Sequence, residues 1–186
     1  MPHRLMIKDR NDVLTISFQD MVNYHGREFI GGVAMAFKLM ELACCLLSPD
    51  ETPSREKFVI LLGVHGPGII DGLELVTRAK SRGTLLVDPP AAFAKDAPDA
   101  ADGLGGKYYF EIDYGGKKLV LSLKHGLLPP EFITLAYKTH DGTLTPADAV
   151  RLSILKEEIA EFLLSKEAAS LFDFQLVSPA KSFQQN

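Results

Sequence analysis

The sequence predicts an α+β domain: a mixed β-sheet flanked by helices, with a helical C-terminal segment. Three observations predict it. Short apolar runs bounded by glycine, such as residues 57–63 (KFVILLG), alternate with amphipathic runs, such as 68–81 (GIIDGLELVTRAKS). Two alternating runs meet at the Gly115, Gly116 pair, the pattern of a β-hairpin. The last third, from residue 129, holds helical patterns opened by proline. A chain of 186 residues with 46% hydrophobic content suits a single packed domain.

In chain order, residues 1–15 read as an N-terminal arm carrying a short strand, DVLTI. A single domain then spans 16–172. Ser17 followed by Asp20 is a capping box that opens a helix, and Gly26 closes it. Residues 28–47 form a long helix, with Gly31, Gly32, Ala34 and Ala36 on a face narrow enough for close backbone packing. Pro49 and Pro53 end that segment. Residues 57–63 and 83–88 are buried strands. The run 68–81 is a helix, because Ile69, Leu73 and Val76 recur at three and four. Residues 89–106, rich in Ala, Pro, Asp and Gly, are a surface loop insertion. A hairpin fills 107–124. The C-terminal helices occupy 129–172: one over 129–140, one over 145–165 capped by Thr145 with Asp148, and a short one over 166–174. Residues 173–186 form a tail.

Composition excludes several functions. The net charge of −4 and a pI near 5.7 give no surplus of cations for a phosphate backbone, so nucleic acid is not expected as a partner. Lys38 and Glu41 interrupt the most apolar run, and the N-terminus lacks a signal-peptide core. The expectation is a cytoplasmic protein without a membrane partner. Cys44 and Cys45 are adjacent, have no metal-ligand spacing, and read as helix packing.

Two His-Gly joints carry whatever chemistry the sequence holds. The first is "YHGREFIGG", with His25 and Gly26; the second is "GVHGPGIIDG", with His65, Gly66, Gly68 and Asp71. The second joins a strand to a helix start, where free backbone N–H groups favour anions. It lacks the Lys-Ser or Lys-Thr of a phosphate loop, and its glycines are out of register for a dinucleotide fingerprint.

The order of these segments resembles the FmdE family of formylmethanofuran dehydrogenase components over about residues 16–172. That family's first helix ends in His-Gly-His-x-Cys-Pro-Gly. Here His25, Gly26 and Gly31 fit, while Arg27, Phe29 and Ile30 replace the second His, the Cys and the Pro. Asp71 falls on the family's Asp. Gly68 and Arg78 fall on two further cysteines. The resemblance implies an accessory or ligand-binding protein linked to one-carbon or molybdenum/tungsten oxidoreductase systems in anaerobes. It implies oxidoreductase subunits as partners, and we expect a homodimer. The family's metal–thiolate site is lost here, since every site cysteine is replaced.

Three readings of that altered site follow. Arg27 and Arg78 with the Gly66–Gly68 turn would make a pocket for a small anionic ligand, built on His25, Gly26, Arg27, His65, Gly66, Gly68, Asp71 and Arg78. His25 and His65, with Asp71 or Glu28 adding oxygen, would hold zinc or another divalent metal, or act as acid–base groups of an enzyme. The third reading is an interaction scaffold without a working site.

Overall fold

The computed structural model describes residues 4–88 and 99–177. It has the predicted α+β architecture. The central sheet holds five strands in the order β4 (Leu85–Val87), β3 (Phe58–Leu62), β7 (Tyr109–Tyr114), β8 (Lys117–Leu123) and β9 (Phe172–Val177). β3 and β4 run parallel, and every other pair is antiparallel, so the sheet is mixed. One face carries Phe58, Ile60, Leu62, Phe110, Ile112, Leu119, Leu121 and Leu123, all buried. Alternation along each strand sends these side chains to one side. The other face carries only a small cluster of Tyr109, Val120 and Ala100, and leaves Val59 and Leu86 exposed.

The main core lies between the first face and helix α2 (Ile30–Leu47). By length and composition α2 is long and apolar enough to cross a membrane, even with Lys38 and Glu41 in it. Two-thirds of it is buried within the domain. Its lone lysine, Lys38, reaches Glu41 at 2.7 Å and keeps its stem in the core. Around α2 pack α1 (Phe18–His25), α3 (Pro67–Thr77), α5 (Pro146–Ser165) and α6 (Ala168–Leu171). Helix α4 (Pro130–His140) leans on α5 over Leu135, Leu152 and Leu155. Both predicted capping boxes are present, at Ser17 with Asp20 and at Thr145 with Asp148.

The small-residue face of α2 is used inside the domain. A Cβ on Gly32 would lie 3.1 Å from the Ile69 nitrogen, and one on Gly72 would lie 2.6 Å from the Ala36 Cβ. Close helix crossing between α2 and α3 therefore accounts for these residues, and no dimer contact is needed to explain them.

Four expectations change. Residues 1–15 are no loose arm: β1 (Arg4–Asp9) and β2 (Asp12–Ser17) pair as a hairpin, with Leu5, Ile7 and Ile16 in the main core. Residues 173–177 are not tail but belong to β9, because Phe172, Leu176 and their neighbours pair with β8. The helix over 166–174 is correspondingly cut to α6. Cys45 is exposed rather than packed; Cys44 is mostly buried, and burial pushes its thiol up to about 12. The 89–106 insertion lies mostly outside the described residues. Its end forms a small hairpin of β5 (Asp102–Gly103) and β6 (Gly106–Lys107).

Candidate functional site

The turn between β3 and α3 lines a cavity of about 140 Å³. β3 ends at Leu62, and Gly63 N–H still donates to the Tyr109 carbonyl. The chain then turns through His65 and Gly66. Gly66 is the N-cap of α3, and Pro67 occupies its first turn, where the missing N–H costs nothing. Gly66, Pro67, Gly68 and Ile69 form one wall of the cavity. Gly31, Gly32 and Met35 of α2 form a second, Phe132, Ile133 and Ala136 of α4 a third, and Lys156 and Ile159 of α5 a fourth. Leu104 and Tyr108 close the side towards the sheet. An apolar cavity near this size accepts a benzene ring.

The glycines make this geometry. A Cβ on Gly68 would sit 2.4 Å from the Phe29 carbonyl oxygen and 3.0 Å from the Val33 nitrogen. Only a residue without a side chain lets the start of α3 lie against the start of α2. That approach holds the two helix N-termini side by side at the cavity.

Polar groups in the cavity are few. Lys156 Nζ lies 4.6 Å from the centroid of the Phe29 ring, and no carboxylate reaches it within 4 Å among the described residues. Burial holds its ammonium below the usual lysine range, with the charge of Glu28 opposing that shift. Tyr108 is also in the wall, and burial pushes its phenol up to about 12. His65 sits at the mouth and is exposed.

Next to the cavity stands a second feature. His25 Nδ1 and Asp71 Oδ2 are 2.8 Å apart, joining the C-terminal end of α1 to α3. Gly26 caps α1 by donating to the Val22 carbonyl at 2.7 Å, which ends the helix at His25. The second oxygen of Asp71 lies 3.5 Å from Lys80 Nζ. The His25 side chain is only 8% exposed, and its Nε2 is buried without a hydrogen-bond partner among the described residues. Phe29 packs on the His25 ring, with centroids 5.9 Å apart, and also lines the cavity.

The predicted site residues thus divide. His65, Gly66 and Gly68 line the cavity, and His25 and Asp71 pair beside it. The two arginines do neither, which corrects the anion pocket as built from them. Arg27 is turned to solvent and makes a two-pronged pair with Glu157, at 3.1 and 2.7 Å. Arg78 caps the opposite, C-terminal end of α3 in the left-handed region and lies 3.5 Å from Asp9. A helix of eleven residues separates it from Gly66.

The donor set does not fit a zinc or other divalent metal site. Such a site needs at least three converging protein ligands. No three His, Cys, Asp or Glu side chains gather closely enough among the described residues. His25 spends Nδ1 on Asp71, and Glu28 is exposed.

Lys156, Tyr108 and Phe132 were not singled out from sequence, and Phe29 only as the residue in place of a family cysteine. One signal was available for Lys156. On α5 the buried residues Leu152, Leu155, Ile159, Ala160 and Leu163 form an apolar stripe, and Lys156 stands within it. A cation on the inner face of a helix points to a polar task inside.

No protein-family model matches the chain, and no curated protein matches it. The functional reading therefore rests on the site itself.

Proposed function

We propose that the domain binds a small, mainly apolar molecule carrying one anionic group, of the aryl or alkyl carboxylate class. The observation that carries this reading is Lys156: a half-buried ammonium in an apolar cavity, with no carboxylate partner among the described residues. A cation is costly in such a place unless an anion meets it. The amides at the start of α3, at Gly68 and Ile69, border the same space and favour negative charge. The apolar walls of Met35, Phe132, Ile133 and Ile159 suit the rest of the ligand. In this reading Lys156, not Arg27 or Arg78, meets the anion.

The segment order that resembles the FmdE family supports an accessory role for this binding protein beside a one-carbon or molybdenum/tungsten oxidoreductase.

Calorimetric titration with benzoate tests the binding reading. Wild type is expected to bind it, and Lys156→Met to bind it about tenfold more weakly. Benzyl alcohol, which lacks the charge, is expected to bind both forms equally. Equal benzoate affinity in the two forms, or none in wild type, contradicts the reading.

A further inference from the structure

The His25–Asp71 pair is left over from the binding reading. Its arrangement is that of an oriented base. Asp71 accepts from Nδ1–H, which leaves Nε2 as the imidazole's free acceptor. A buried nitrogen without a partner is costly, so native structures seldom keep one without a use. Its surroundings are short of the ligands a metal needs. What remains for Nε2 is a proton.

Phe29 connects this nitrogen to the cavity. Its ring touches the His25 ring, carries the Lys156 ammonium, and lines the cavity. It is also 36% exposed. A rotation of Phe29 towards solvent removes the only side chain that is in contact with both sites among these named contacts.

We propose that His25, oriented by Asp71, is a general base for the bound carboxylate ligand, admitted to it by rotation of Phe29. The inference rests on the binding reading above. The substrate class is a small carboxylate with a C–H next to a carbonyl. Nε2 takes that proton, the C–H electron pair forms the new C=C bond, and the carbonyl π pair moves onto oxygen. The products of the step are an enolate and an imidazolium paired with Asp71. The ammonium of Lys156 and the α3 amides, which line the cavity, favour the added negative charge of the enolate as they favour the carboxylate. Return of a proton from the imidazolium to carbon or to oxygen completes an isomerisation, so no oxidant or co-reactant is needed, and a proton on Nε2 that first trades with solvent leaves deuterium on carbon in D₂O.

The test uses phenylpyruvate in D₂O, with loss of its benzylic proton signal followed by NMR and its binding measured in the same samples. Wild type is expected to speed exchange about 100-fold over protein-free buffer. His25→Gln is expected to bind phenylpyruvate but exchange it at the buffer rate. Asp71→Asn, which keeps the shape of the side chain, is expected to lower the exchange rate about tenfold with affinity unchanged. That split separates a positioning role from a structural one and decides the matter if His25→Gln fails to fold. Binding without accelerated exchange in wild type overturns the base and leaves the binding reading intact. Unchanged exchange in Asp71→Asn overturns the dyad. Absence of binding in wild type overturns both readings.

Discussion

Gly68 and the carbonyl of Phe29 are so close that a methyl group on Gly68 would lie 2.4 Å from that oxygen. This contact, with those of Gly32 and Gly72, sets the close approach of α2 and α3 and so one side of the cavity. Gly68→Ala is expected to cost about 2–3 kcal/mol, because a backbone oxygen cannot turn aside as a flexible side chain can. Urea unfolding checks it. A loss below about 0.5 kcal/mol would show that the two helices are not pressed together here.

Arg55 locks the other end of α3. It is 4% exposed, donates to the carbonyls of Leu75 and Val76, and holds Asp9 at 2.9 Å. The hairpin of β1 and β2 is thereby tied to the helix. Arg55→Met should destabilise the domain by about 3 kcal/mol, since two carbonyls lose their donor and Asp9 keeps only the longer pair with Arg78. Chemical denaturation of the pair of proteins measures this directly.

The same contact makes a prediction about acid. The hydrogen bond from Arg55, aided by the nearby charges of Arg55, Arg78 and Arg10, holds the Asp9 carboxyl below its ordinary 3.8 despite desolvation. Asp20, bonded by Ser17, and Asp148, bonded by Lys138 and Thr145, are shifted the same way. A carboxyl with a lowered folded-state value stabilises fully above its unfolded value and loses that contribution as pH falls through the folded one. Stability is therefore expected to be flat down to about pH 5 and to decline below about pH 4. Asp9→Asn should lower stability at neutral pH and shrink the decline in acid, as followed by thermal melts across that range.

Helix α5 carries Lys156, so its start matters to the site. Thr145 accepts from the Asp148 N–H at 3.1 Å, and Asp148 accepts from the Thr145 N–H at 3.2 Å. Thr145→Ala should cost about 1 kcal/mol. Benzoate affinity is expected to hold, because Lys156 sits about three turns further along the helix. A large loss of binding with a small loss of stability would mean that the helix start positions the ligand itself.

Much of the fold was legible in the sequence, and the reason is local. Caps at Ser17 and Thr145, the hairpin at Gly115 and Gly116, and the buried strand at Phe58–Leu62 are each set by neighbours within a few residues. The departures are long-range. Phe172 and Phe174 read as the end of a helix, and Leu176 as tail, until β8 stands beside them to supply strand partners. Half of the candidate site was legible too. Glycine between a strand and a helix marks a backbone that must come close to something, and Gly66 and Gly68 do so. The arginines misled because charge at a matching position says nothing about direction: Arg27 faces Glu157 and Arg78 faces Asp9. Lys156 was missed because it comes from a helix about ninety residues beyond that turn, and only the fold brings it there.

Binding at the cavity is tested most directly by mapping benzoate on the ¹⁵N-labelled protein by NMR. Shift changes are predicted to concentrate on the amides of Gly32, Gly66, Gly68, Ile69 and Lys156, and Lys156→Met to weaken all of them together. Changes scattered over surface cations such as Arg4 and Lys117, with the Gly66–Ile69 amides unmoved, would contradict binding there.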